Sequence, residues 1–175
     1  MLLSLHGQNK DALAKTKPGA WEYDIVAPLY KCNMTDIMAA IGLVQLRRYP
    51  ELLENRYALV RLYNELLKDC GVEMASHFRE DEVSSCHLYL TRLTGKTMAQ
   101  RNAIIEKMAE QGVATNVHYK PLPLLTAYKD LGFDIKDYPN ACAQFENEIT
   151  LPLYSTLTEE DVRYVCKTLK DCLQD

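Results

Sequence analysis

No apolar run in this 175-residue chain approaches the roughly 20 residues that a membrane-spanning helix requires. The opening MLLSLHGQNK lacks a basic stretch ahead of a long apolar segment, so it does not read as a secretory signal. The six cysteines include no Cys-x-x-Cys pair, and none stands with a histidine at zinc-finger spacing. Lysine and arginine form no cluster, and the formal net charge is −4, which argues against a nucleic-acid partner. There is no internal repeat and no low-complexity linker. These absences predict a cytoplasmic chain with reduced thiols, no metal centre, no membrane contact and no nucleic acid. Cys166 falls on the apolar face of a helix. Cys32 lies in a polar loop but has no neighbouring base to activate it, and it too reads as a packing residue.

Apolar residues make up 47% of the chain and charged residues 25%, a globular composition long enough for one domain with a proper core. Residues 1–30 read as an irregular lead-in without a core of its own, the end of something larger. The most informative stretch runs from Tyr30 to Leu46. A polar run, Lys31 to Asn33, meets a helix start at Thr35-Asp36, where the threonine hydroxyl can cap and the aspartate suits the helix dipole. Ala39, Ala40 and Gly42 strip bulk from that helix. A glycine there costs about 1 kcal/mol against alanine, so a neighbouring body is expected to need the space. The outcome is an amide-bearing, cationic loop held at a helix head, suited to an anionic ligand.

Tyr49-Pro50 predicts a break or kink, followed by a second helix from Glu51 to Asp69 with Leu53, Tyr57, Val60 and Leu67 on one face and Cys70-Gly71 closing it. His87 to Leu93 is β-rich. Thr97-Met98-Ala99-Gln100 is a capping box that opens a helix ended by Gly112. Val113 to Tyr119 reads as a second strand, Pro121-Leu122-Pro123 as a rigid turn, and Leu124–Asp130 as a short helix. A helix over about Tyr138–Asn147 leads to a third strand, Glu148–Tyr154. Thr158 to Asp161 caps the last helix, with Val162, Val165, Cys166 and Leu169 inward. The fold class is therefore α+β: a small, mainly antiparallel sheet of three or four strands, helices on one face and a long helix in front.

Five words occur in fixed order: Trp21-Glu22-Tyr23; Tyr30-Lys31-Cys32-Asn33-Met34-Thr35-Asp36-Ile37 with Ala39-Ala40-Ile41-Gly42-Leu43 and Gln45-Leu46; His87-Leu88-Tyr89; Gln111-Gly112-Val113-Ala114-Thr115 with His118-Tyr119; and Leu151-Pro152-Leu153-Tyr154. Together they resemble the C-terminal part of the DegT/DnrJ/EryC1/StrS aminotransferases, pyridoxal-phosphate (PLP) enzymes acting mostly on nucleotide-linked keto-sugars. The resemblance runs from about Leu3 to the C-terminus. It implies the C-terminal domain of a fold-type-I, aspartate-aminotransferase-like fold, in which a large domain holds the cofactor and two subunits share each active site. Residues 1–34 would be the edge of the large domain and the cofactor-facing loop, 35–70 the connecting helices and 71–175 the small α/β domain.

One family element is missing. The lysine that anchors PLP as a Schiff base stands, in the family, in a Ser-Phe-His-x-x-Lys word ahead of the sequence seen here as His6-Gly7, and nothing in residues 1–5 matches it. The resemblance therefore implies the C-terminal portion of a sugar aminotransferase, inactive alone. The alternatives are one half of a split enzyme, completed by a separate N-terminal half, or a non-catalytic dimerisation or ligand-binding module.

By chemistry alone, Lys31 reads as a solvated surface lysine. The resemblance places Lys31 and Asn33 in the loop that reaches toward the partner subunit's PLP phosphate, with Tyr-Lys-x-Asn here where many members have Tyr-Asn-x-Arg. Which of the two makes the contact stays open. His118 reads as structural on chemistry alone, whereas the resemblance sets it, with Tyr119, near the mouth of the substrate site. Pro123 replaces a second family histidine. Trp21, His87 and Tyr89 read as packing residues. No catalytic residue is assigned. The implied partners are a second copy of the chain, a nucleotide-sugar and a glutamate-type amino donor. The face carrying Ile37, Ala40, Ile41 and Val44 is expected to be exposed and to favour a dimer or higher oligomer.

Overall fold

The computed structural model describes residues 4–8 and 24–174. Lys10, Lys15, Lys17, Pro18-Gly19 and the Trp21-Glu22-Tyr23 word lie outside the described residues. The chain divides into two compact units, residues 1–49 and 50–175.

In the first unit, two short segments meet antiparallel through the bridges Leu5↔Lys31 and Gln8↔Ile25. The His6 amide donates to the Tyr30 carbonyl at 2.8 Å, and the Cys32 amide to the Ser4 carbonyl at 3.0 Å. Gly7 turns between them at φ +76°, and a Cβ there would stand 2.0 Å from the Ala27 carbonyl oxygen. Only glycine meets both demands. Helix α1 (Asp36–Leu66) then begins in this unit and continues into the second. Its start is as expected: the Thr35 carbonyl accepts from the Ala39 amide at 2.8 Å, and the hydroxyl from Met38 at 3.4 Å.

The expected break at Tyr49-Pro50 is absent, because α1 carries Pro50 in its interior. Proline removes one hydrogen bond and crowds the preceding turn. Arg47, Arg48, Glu51, Leu52, Leu53 and Glu54 around it are good helix formers that carry the helix through. The helix ends at Leu66, ahead of the Asp69 expected, and Asp69 itself adopts φ +61° in the turn before Gly71.

The second unit is built on a sheet of β1 (Val72–Met74), β2 (Tyr89–Leu93) and β3 (Glu148–Leu151), in that order and all antiparallel. Helices α2 (Met98–Glu110), α3 (Thr126–Lys129), α4 (Pro139–Asn147) and α5 (Glu159–Gln174) complete it. Tyr89, Thr91 and Leu93 alternate onto one face of β2, where Leu59, Val60, Tyr63 and Leu67 of α1 join Val162, Val165, Cys166 and Leu169 of α5 in the core. Each fully buried aliphatic of this kind contributes roughly 1.5–3 kcal/mol. Tyr63 stacks on Tyr89 at 4.4 Å between centroids, and its hydroxyl donates to the Pro152 carbonyl at 2.8 Å.

Helices on one face only is the second expectation to be corrected. The opposite face of β2 carries Arg92, which donates to Asn147 Oδ1 at 3.0 Å and lies 3.5 Å from the Ala143 carbonyl, both on α4. With a helix on each side, all four residues of β3 are buried. The α+β class and the antiparallel sheet are as expected. Both capping boxes form: Thr97 with Gln100 on α2, and Thr158 with Asp161 ahead of α5.

The stretch Val113–Tyr119 is not a strand but a single bridge, Asn116↔Thr150. The neighbouring ladder positions are occupied otherwise. The His118 amide donates to the Glu148 carboxylate, and the Glu148 carbonyl accepts from Arg101 instead. On the other side, Pro152 has no N–H to offer.

Candidate functional site

Lys31 and Asn33 belong to the first unit, His118 and Tyr119 to the second. The backbone at Lys31 is fixed by its bridge to Leu5, and Thr35 fixes the chain just beyond Asn33 by capping α1. Both side chains are exposed, and neither has a hydrogen-bond partner among the described residues. An ammonium on a bridged backbone and an amide two residues on, both free to donate, match the chemistry of a phosphate acceptor. A Cβ at Gly42 would meet nothing within 4 Å, so no close approach among the described residues accounts for that glycine.

The second unit gathers a denser polar cluster. Period-two alternation places Glu148 and Thr150 on one face of β3, and Ile149 and Leu151 on the other. Glu148 is 1% exposed. A carboxylate buried so deeply needs donors, and it has them. Oε2 accepts from the His118 amide at 2.9 Å, and Oε1 from the Thr150 hydroxyl at 2.6 Å. The Thr150 oxygen lies 2.8 Å from His118 Nδ1. On the far side of the ring, Asn116 Nδ2 stands 3.5 Å from Nε2. Burial pushes the Glu148 carboxyl above its usual range, while the Thr150 hydroxyl, the His118 amide and the nearby positive charges of the His118 ring, when protonated, and of Arg101 pull it back.

Arg101 is 2% exposed and donates to the Glu148 carbonyl at 2.9 Å, with its guanidinium 5.1 Å over the Phe145 ring. Burial lowers its pKa, and Glu148 opposes that shift. Its Nε has no hydrogen-bond partner. Tyr119 is 74% exposed and meets the His118 ring edge-on at 4.6 Å.

Sequence reasoning thus singles out His118 and misses the pair that holds it. Glu148-Ile149-Thr150 carries the period-two signal of a strand with one polar face, which normally turns to solvent. The signal that could have been used is the pairing of that polar face with a histidine at a strand end. His87 is exposed and Tyr89 buried, so only Tyr89 is a core packing residue. None of the six cysteines is in a disulfide, and burial pushes the Cys166 thiol up to about 12. Among the described residues, no cluster of histidine, cysteine or carboxylate side chains could hold a metal ion, and no helix is long and apolar enough to cross a membrane.

A Streptococcus pneumoniae protein described as a sugar aminotransferase has been solved in PMP, apo and PLP forms. Its PMP form matches 99% of this chain and 43% of its own, with a TM-score of 0.91 and 56% identity. A spore coat polysaccharide biosynthesis protein of Bacillus subtilis is 29% identical over 99% of this chain and 46% of its own length. The UDP-4-amino-4,6-dideoxy-N-acetyl-beta-L-altrosamine transaminase of Campylobacter jejuni is 27% identical over 99% of this chain and 44% of its own. The chain spans less than half the length of these relatives. The family pattern itself matches residues 1–170, and the chain belongs to the DegT/DnrJ/EryC1/StrS aminotransferase family.

Proposed function

We propose that residues 1–175 are the C-terminal part of a PLP-dependent aminotransferase that transfers an amino group, typically from glutamate, to a nucleotide-linked keto-sugar destined for a cell-surface polysaccharide or lipopolysaccharide. The observation that carries this reading is the likeness to the S. pneumoniae protein across 99% of the chain, in forms solved with PMP and with PLP. In this reading, residues 1–34 are the edge of the large domain with the cofactor-facing loop. Residues 35–70 are the connecting helix, and 71–175 the small domain.

The donor set of the first unit fits one end of the cofactor. Lys31 and Asn33 would hold the PLP phosphate of a partner subunit, the ammonium by charge and the amide by a directed hydrogen bond. PLP supplies the electron sink that lets an amino group and a keto oxygen be exchanged. The covalent anchor is assigned to a lysine outside this chain, so the chain alone does not turn over. His118 and Tyr119 would face the sugar, the histidine offering a polar ring nitrogen and the tyrosine an exposed aromatic face and hydroxyl.

Reconstitution tests this. The chain mixed with PLP is expected to develop neither cofactor colour nor activity. Adding a companion polypeptide that carries the Ser-Phe-His-x-x-Lys word is expected to restore both. Replacing Lys31 and Asn33 together by alanine in that assembly should weaken PLP retention by at least about 100-fold, from roughly 1.5–3 kcal/mol for each of two charge-assisted bonds. Borohydride trapping of PLP on a lysine within residues 1–175 would overturn the assignment of the anchor. Failure of the companion to restore activity would favour a non-catalytic module.

A further inference from the structure

The hydroxyl of Thr150 has one proton and two close partners, Glu148 Oε1 at 2.6 Å and His118 Nδ1 at 2.8 Å. An ionised carboxylate can only accept. Oε2 already accepts the His118 amide, so Oε1 takes the Thr150 proton. The Thr150 oxygen then has only lone pairs to offer Nδ1, and Nδ1 must carry the ring proton. The far side of the ring gives the same answer independently. Asn116 Oδ1 accepts from the Val117 amide at 2.8 Å, which fixes the orientation of its side-chain amide. The group facing His118 Nε2 is therefore Nδ2, a donor, so Nε2 must be an acceptor. At 3.5 Å this is a contact at the outer limit of a hydrogen bond, weak enough for an incoming group to displace.

We propose that Glu148 and Thr150 are positioning residues that set the tautomer of the neutral His118 ring, with the proton on Nδ1, so that in this form Nε2 selects a hydroxyl or N–H donor of the bound sugar and disfavours an anionic group at that point. The substrate-facing part rests on the functional reading above; the tautomer does not. The Arg101 guanidinium, buried on the neighbouring helix beside Glu148, donates to the Glu148 carbonyl and adds a positive charge that favours the ionised carboxylate. Sequence patterning gives Glu148 and Thr150 no role beyond a strand. The geometry makes them the reason that His118 presents one nitrogen and not the other.

Long-range proton–nitrogen NMR on the 15N-labelled chain reads the tautomer directly, at a pH where histidine is neutral. His118 is assigned by loss of its signals in H118Q. The wild type is expected to show Nδ1 protonated and Nε2 bare. T150V, which keeps the shape and removes the hydroxyl, is expected to shift His118 toward the Nε2–H form. T150S, which restores the hydroxyl, is expected to return it. Unchanged His77 and His87 signals check that the variants remain folded. An Nε2–H form in the wild type, or a tautomer unmoved in T150V, would overturn the proposal. In the completed enzyme, T150V is expected to raise KM for the keto-sugar nucleotide about tenfold, with the glutamate half-reaction unchanged. An unchanged KM alongside the expected tautomer shift would overturn the substrate-facing reading alone.

Discussion

The Glu148 carboxyl lies where water does not reach, and its stability contribution depends on pH in a direction opposite to that of a carboxylate held below its usual range. Burial raises its folded pKa above the usual value of 4.5. Its stabilising contribution is therefore fully present below about 4.5 and is lost as pH rises through the higher folded value. Urea titrations of wild type and Glu148→Gln at a series of pH values should show the wild type losing stability relative to the variant over that window. A difference that stays flat with pH would mean the carboxyl is not desolvated as described. Asp161 has the opposite sign. The Thr158 hydroxyl and amide hold it below its usual range, so its contribution is present above the unfolded value and is lost as pH falls through the folded one. His118 is legible in the sequence because it stands in a recognisable word beside a turn. Glu148 and Thr150 are not, because the groups that satisfy them, Arg101 on α2 and the 116–118 backbone, are both remote in sequence.

Elements with local signals follow the sequence closely, and those without do not. The Thr97 and Thr158 capping boxes are decided within four residues and form as read. The three-residue β1, Val72-Glu73-Met74, is too short for its alternation to stand out and is missed, and the run from Val113 to Tyr119 fails as a strand because side chains and Pro152 take its ladder positions. Pro50 is the instructive error. A proline inside a helix costs about 3 kcal/mol against alanine, yet α1 carries it for a full 31 residues. Pro50→Ala is thus expected to stabilise the helix locally by up to about 3 kcal/mol, which hydrogen exchange would read as amides from Arg47 to Leu53 slowing by up to about 100-fold. Unchanged exchange at those amides would show that something other than the proline limits opening there.

At the scale of the whole molecule, the first turns of α1 pose a question that this chain's described residues do not answer. Ile37 is 77% exposed, Leu46 68%, and Met38, Ile41, Leu43 and Val44 are all more than half exposed. These residues are spread around the helix, so no single face is polar enough to be the solvent side. A helix apolar on every side is stable only when covered. The exposed positions include the Ile37, Ala40, Ile41 and Val44 face read from the sequence. Both the large domain and a second subunit, which the family resemblance implies, would cover it. Alone, the chain is expected to sediment as a dimer or larger assembly through this helix. Replacing Ile41 and Val44 by lysine removes two apolar side chains, each contributing roughly 1.5–3 kcal/mol when buried, and should weaken association at least 100-fold. Pro50→Ala lies outside the patch and should leave association unchanged, which separates loss of a contact from a general change in the helix. A wild-type chain that remains monomeric at high concentration would remove the helix as the assembly surface, and cover by the large domain alone would then have to account for its composition.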